Sequence, residues 1–114
     1  MTENLAQRVI EESVPGKQVT LAHVIAAPVR DVYQSLGIET AGAIGILTVS
    51  PFETAMIAAD TAVKVADVRI GFLDRFTGSV VITGDVESVE TSLQEVLRVF
   101  QTVLHFNVVD VTRT

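Results

Sequence analysis

The stretch "RIGFLDRFTGSVVITGD", residues 69–85, reads as a β-hairpin and decides the fold. Apolar residues flank a short turn, placing strands at about 68–75 and 79–84, with Gly78 where the loop needs backbone freedom. The tip is unusual. A hairpin built for stability alone favours Asn-Gly or Asp-Gly there and keeps its aromatics inside. Here the first strand ends in the charge pair Asp74-Arg75, and Phe76 follows in the loop itself.

Helical patterns stand on both sides of this hairpin. Upstream, Ser50-Pro51-Phe52-Glu53 matches an S-x-x-E capping box with proline at the first helical position. The helix it would open carries Phe52, Ala55, Met56, Ala59, Val63 and Ala66 on one face, thin enough for a partner to approach closely. Before it, "GAIGILTVS" (42–50) reads as a buried strand. Downstream, Asp85 is the expected N-cap of a helix over 86–103. Its inner face runs Val86, Val89, Leu93, Val96, Leu97, Phe100 and Val103, with Glu87, Glu90, Gln94 and Arg98 opposite. "HFNVVDVTR" (105–113) closes the chain as a strand.

From residue 42 onward the order is therefore β-α-β-β-α-β, the ferredoxin-like split βαβ arrangement of the α+β class. Such a sheet carries its helices on one face and leaves the other face and the edges available. An extra strand and helix come first. "KQVTLAHVIA" (17–26) alternates Val19, Leu21, His23 and Ile25 against Thr20, Ala22 and Val24, and "PVRDVYQSLG" (28–37) starts at Pro28 and stops at Gly37.

Composition narrows the function. The chain has 114 residues, one domain's length, yet 48% are apolar and 19% charged, against a typical charged share of roughly 25%. A small domain has much surface per unit volume and should be more polar than average. Either a membrane or other copies of the chain must cover the excess. The longest uncharged run, Thr40–Phe52, contains Pro51 and falls short of the ~18 apolar residues of a spanning helix. Oligomerisation is the better account.

The net charge is −6, and the eight Lys and Arg residues form no basic stripe. Nucleic-acid binding is disfavoured. Cysteine is absent, which excludes disulfides and thiolate chemistry and accords with a reducing cytoplasm. "MTENLAQRVIEES" lacks the apolar core of a signal peptide.

No motif points to catalysis. There is no P-loop, G-x-G-x-x-G or nucleophile elbow. His23 and His105 have no cluster of metal-ligand type around them, so both are expected in structural or incidental roles. Asp60 and Lys64 fit a surface i,i+4 pair, and the adjacent Asp74 and Arg75 alone do not make an acid–base site. No cofactor, metal or self-sufficient enzyme is expected.

The segments "VPGKQVTLAHVIA" (14–26), "AGAIGILTVSPFETAMIAADTAVKVADVRIGFLDRFTG" (41–78) and the closing "VTRT" carry a specific resemblance. The chain resembles the circularly permuted shell proteins of bacterial microcompartments, of the ethanolamine-, propanediol- and choline-utilisation kind, from about Arg8 to Thr114. In unpermuted members a strand and helix reading like "HVIPRP…D" lie at the C-terminus. His23-Val24-Ile25, Pro28 and Asp31 carry that pattern near the N-terminus here.

The resemblance implies a cyclic homohexamer that tiles a shell around metabolic enzymes in the bacterial cytoplasm. Other shell proteins and the enclosed enzymes are then its partners, with no membrane or nucleic acid involved. It implies that Asp74, Arg75, Phe76, Thr77 and Gly78 lie near the six-fold axis. It divides the chain into an N-terminal segment, 1–16, and a permuted domain, 17–114. Six such segments, including Arg8, Val9, Ile10, Glu11 and Glu12, would form a small β-barrel capping the axis. Lys64 would stand at the hexamer edge, and Gly42 would act as a hinge that lets a ring bend.

The sequence departs from the family pattern in two places. Ser13 replaces a large aromatic before Val-Pro-Gly, and Ala27 stands where unpermuted relatives have an edge arginine. The permutation also leaves Phe106–Val111 without an obvious place in the sheet. A ferredoxin-like oligomer that binds small metabolites between its subunits is the alternative from another class.

Overall fold

The computed structural model describes residues 16–114. Its elements are β1 (Gln18–Ala26), α1 (Arg30–Leu36), β2 (Ala43–Ser50), a 3-10 turn (Phe52–Thr54), α2 (Ala55–Val65), β3 (Arg69–Asp74), β4 (Ser79–Gly84), α3 (Val86–Thr102) and β5 (Thr112–Arg113). One sheet holds the strands in the order β3-β4-β2-β1-β5. The central hairpin stands where the sequence pattern places it.

The closing strand does not. In a ferredoxin-like sheet the last strand of the split βαβ motif pairs antiparallel with the first. Here β1, from the start of the chain, takes that place and pairs antiparallel with β2 from Gln18↔Ser50 to Ala26↔Ala43. β5 contributes two residues, parallel to the outer edge of β1. The intervening segment is drawn under the sheet instead. Phe106 packs edge-on against Phe100 with ring centroids 4.9 Å apart, and Val108 and Val111 lean on the same core. Burying one such aromatic contributes about 1.5–3 kcal/mol, enough to offset two forgone ladder bonds at about 1 kcal/mol each.

Helices α2 and α3 cover one face, over Val19, Ala22, Val24, Ala43, Leu47, Val49, Val80 and Ile82. Small residues set the spacing: a Cβ at Gly45 would lie 2.7 Å from Val89 Cγ1, and buried Ser92 donates its hydroxyl to the Ala62 carbonyl at 2.8 Å. The opposite face is not left bare. Helix α1 lies there, with Tyr33, Ile44 and Val81 as a second small core; the Tyr33 hydroxyl donates to the Ala41 carbonyl at 2.8 Å.

Four local expectations need correction. A bulge between Val19 and Leu21 shifts the phase of β1, so Val19 joins Ala22 and Val24 in the main core instead of Leu21, His23 and Ile25. Ser50 does not cap a helix: it ends β2, its peptide bond to Pro51 is cis, and a 3-10 turn precedes α2, which begins at Ala55 without a side-chain cap. The buried face of α2 is Ala55, Ala58, Ala59 and Ala62, leaving Met56 and Val63 outside. Pro28 precedes the N-cap Val29 of α1, while Gly37 ends that helix at φ 71° as expected.

Candidate assembly surface

The hairpin tip is organised by its own aspartate. The Asp74 carboxylate accepts hydrogen bonds from the Phe76 N–H and the Thr77 hydroxyl, both at 2.9 Å, and these donors hold it below the usual carboxylate range. Gly78 closes the turn at φ 76°; a Cβ there would collide with the Val49 carbonyl. Its own N–H donates to the Asp74 carbonyl at 2.9 Å, and its carbonyl accepts from the Val49 N–H at 2.8 Å. With Asp74 turned inward on the loop, Arg75 and Phe76 are what the tip presents. The Arg75 guanidinium sits 4.9 Å from the Phe76 ring centroid, and Phe76 is 73% exposed.

The five expected axis residues, Asp74 to Gly78, are thus contiguous at one end of the sheet. Residue 16 enters at that same end, because Gln18 pairs with Ser50 and Val49 is bonded to Gly78. The proposed barrel residues, Arg8 to Glu12, lie outside the described residues.

Lys64 and Gly42 stand at the other end. Lys64, in the last turn of α2, pairs with Asp60 at 2.7 Å, both side chains more than half exposed. Gly42 leads into β2 against the β4–α3 junction, where a Cβ would lie 3.2 Å from Asp85 Cα. Its φ is outside the left-handed range. What glycine provides there is close approach of two backbones.

Between the two ends runs a surface that composition anticipated without locating. β3 is an edge strand, yet it exposes Ile70, Phe72 and Leu73, and α2 beside it exposes Met56, Ile57, Val63 and Val65. A bulge between Ile70 and Phe72 puts Ile70 and Leu73 on the α2 side and Phe72 on the α1 side. The edge is therefore apolar on both faces. An uncovered strand of this kind is a template for association. Sequence periodicity put Met56 and Val63 on one face with Ala55 and Ala59; the structure separates them, the alanines facing the core and Met56 and Val63 facing outward.

His23, expected in a structural or incidental role, has a structural one. Its Nδ1 lies 2.6 Å from the Thr112 hydroxyl and its Nε2 2.9 Å from the Thr114 hydroxyl, stitching the chain end to β1. His105 occupies a left-handed turn after α3, at φ 61°. Among the described residues no group of three His, Cys, Asp or Glu is placed to hold a metal ion, and no helix is long and apolar enough to cross a membrane.

The sequence profile of the BMC domain matches residues 43–112, from β2 into β5. The chain belongs to the BMC-domain family. Outside the matched span lies β1, the strand that fills the sheet position beside β2. The bacterial microcompartment shell protein CutR of Streptococcus intermedius is 54% identical over the whole of both chains. The shell protein PduU of Salmonella typhimurium is 54% identical, covering 94% of this chain and 93% of its own. The shell protein EutS of Escherichia coli is 50% identical, covering 95% and 97%. Among BMC-domain structures, a CutR flat hexamer superposes with a TM-score of 0.86 at 55% identity, covering 94% of this chain and 99% of that one. A CutR screw form superposes with a TM-score of 0.84 at 54% identity, covering 88% and 100%.

Proposed function

We propose that this chain is a structural tile of a bacterial microcompartment shell, assembling as a cyclic homohexamer whose rings tile the shell's facets around metabolic enzymes. The observation that carries this reading is the apolar β3–α2 edge on a chain of this family. A ring covers six such edges without leaving one open. The flat hexamer of the CutR relative supports the ring, and the names of the relatives support the shell.

Within the ring, the Asp74–Gly78 tip stands at the axis and Lys64 at the outer rim, at opposite ends of the sheet. The chain enters the sheet at residue 16 beside the tip, which suits a cap over the axis built from Arg8 to Glu12 of six subunits. Gly42 serves as the place where a ring bends out of flat symmetry; structures of the CutR relative as both flat hexamer and screw support two arrangements for one sequence of this type. The role is structural and not catalytic, and the partners are other shell proteins and the enclosed enzymes.

Phe72→Asp tests the reading. Phe72 is 46% exposed in the single chain, so the fold survives while the covered edge gains a charge. Light scattering should give hexamers for the wild type and monomers for the variant, and electron micrographs should show sheets or closed shells only for the former. A discrete small oligomer that a metabolite stabilises, with no sheets, would favour the metabolite-binding alternative.

A further inference from the structure

Thr83 lies on β4 facing the α1 side of the sheet, paired with Arg69 on β3 and Ile44 on β2. It is 7% exposed, and among the described residues its hydroxyl has no hydrogen-bond partner. Buried hydroxyls are rarely left unpaired, so this one is available to whatever occupies the cleft beside it. It opens into a cleft of about 290 Å³ between the 39–41 loop and the outer end of the central hairpin, whose walls include Glu39, Thr40, Asp67, Arg69 and Asp85.

The walls carry three carboxylates against one guanidinium. Asp85 is engaged by the Ser88 N–H at 2.8 Å and hydroxyl at 3.0 Å, which hold it ionised. Arg69 and Glu39 approach only to 3.7 Å at the exposed mouth, so neither is fully spent on the other. The carboxylates are not gathered closely enough to hold a metal ion. What fits a negative cleft with a hydroxyl acceptor at its base is a small cation that donates hydrogen bonds.

We propose that this cleft binds a primary ammonium group, with Thr83 accepting at the floor and Asp67 and Glu39 supplying the opposing charge. The group arrives on a free small amine or on a lysine side chain of a neighbouring copy. Only the lysine source rests on the shell-tile reading.

Isothermal titration of the assembled protein with n-propylammonium chloride tests it, against tetramethylammonium chloride at equal ionic strength. A free-amine site gives saturable heat with propylammonium and none with tetramethylammonium, which has no N–H. Thr83→Val and Asp67→Asn should each weaken binding at least tenfold, and Thr83→Ser should restore it. If the wild type gives no saturable heat, the lysine source requires that Thr83→Val and Asp67→Asn leave rings intact by light scattering and reduce association between rings. Equal response to both cations, equal propylammonium binding by both variants, or no effect in either arm overturns the proposal. Thr83→Val should unfold no more easily than the wild type; a lower midpoint would give the hydroxyl a partner within the fold and overturn it too. Ring formation is read separately, so failure of the tile leaves its own signature.

Discussion

Ala27 holds φ at 48° while donating its N–H to the Gly42 carbonyl at 2.9 Å. The bond closes the excursion that leaves β1, passes through α1 and returns into β2. It keeps Ala27 in the left-handed region, where a Cβ costs about 1–2 kcal/mol. Ala27→Gly removes that cost but loosens the unfolded chain, so a net gain of about 0.5 kcal/mol is expected. Ala27→Val should lose at least about 1 kcal/mol, since branching at Cβ makes this region a severe outlier. Denaturant midpoints at one fixed protein concentration would check both, because ring linkage shifts apparent stability.

Across the same bond, Gly42→Val places methyl groups against the Asp85 backbone, where even a Cβ is at 3.2 Å. Backbone cannot yield as a flexible side chain does, and overpacking of this order costs about 1–3 kcal/mol. The substitution should therefore lower stability and hold the ring in one shape. Crystal structures of the two proteins would decide: bent wild-type rings should show differing Gly42 torsions among subunits, and the valine variant should be flat. A valine ring bent to the same degree would remove the hinge.

Two caps, one expected and absent, the other present, give a paired test. Ser50→Ala should cost well under the ~1 kcal/mol of a lost N-cap, because α2 starts at Ala55 without it. Asp85→Ala should lower the midpoint clearly, since Asp85 caps α3 through the Ser88 N–H. A capping box and a strand followed by a 3-10 turn share the same four residues, so the pattern Ser50–Glu53 does not by itself set where α2 starts.

Much of the fold is legible in those four-residue and alternating patterns, and the failures have physical causes. The hairpin, the Asp85 cap and the Gly37 stop are local, and each stands where its residues require. The bulge at Thr20 and the strap of Phe106 are decided by distant partners, Thr48 across the sheet and Phe100 on α3. No period along the chain reports them. The tip residues were found because charge and an aromatic in a hairpin loop are out of place. Thr83 gave no such signal, since a threonine in a strand is ordinary until its burial is known.

Acid should weaken the monomer fold through the carboxylates that accept hydrogen bonds. Asp74, Asp85 and Glu95 are all held below their ordinary values of 3.8, 3.8 and 4.5, the first two chiefly by backbone N–H donors and the last by Arg98. A depressed native pKa contributes stability that is complete above the unfolded value and lost as pH falls toward the native one. The decline should therefore begin near pH 4.5 and continue below 3.8. Asp74→Asn combined with Asp85→Asn should flatten that part of the profile, measured by denaturant unfolding at a series of pH values. An unchanged slope would mean the tip and the cap are already loose in solution.

Lys64→Ala should separate tiling from folding. The Lys64–Asp60 pair is solvent-facing, and pairs of this kind contribute about 0.3–0.5 kcal/mol, so rings should form as before. Sheet formation seen by electron microscopy should fall, since one contact is lost at every edge. Equal sheets from both proteins would leave Lys64 as a solvated helix partner and nothing more.

The last prediction concerns the chain end. β5 has two ladder residues, and beyond them Thr114 donates its N–H to the Val24 carbonyl at 2.9 Å while accepting from the Ala26 N–H at 3.1 Å. So short a strand holds poorly by itself. The two hydroxyl contacts of His23 supply what the ladder lacks, each contributing about 0.5–1.5 kcal/mol. His23→Ala should therefore free residues 112–114 without unfolding the sheet, because Val19, Ala22 and Val24, not His23, carry β1 into the core. Amide exchange at Thr114, and at Val24 whose N–H faces β5, should speed up while exchange at Leu47 stays slow. The order of effects is the test: if Leu47 loosens together with Thr114, His23 supports the whole sheet, and if Thr114 is unmoved, the backbone bonds alone suffice.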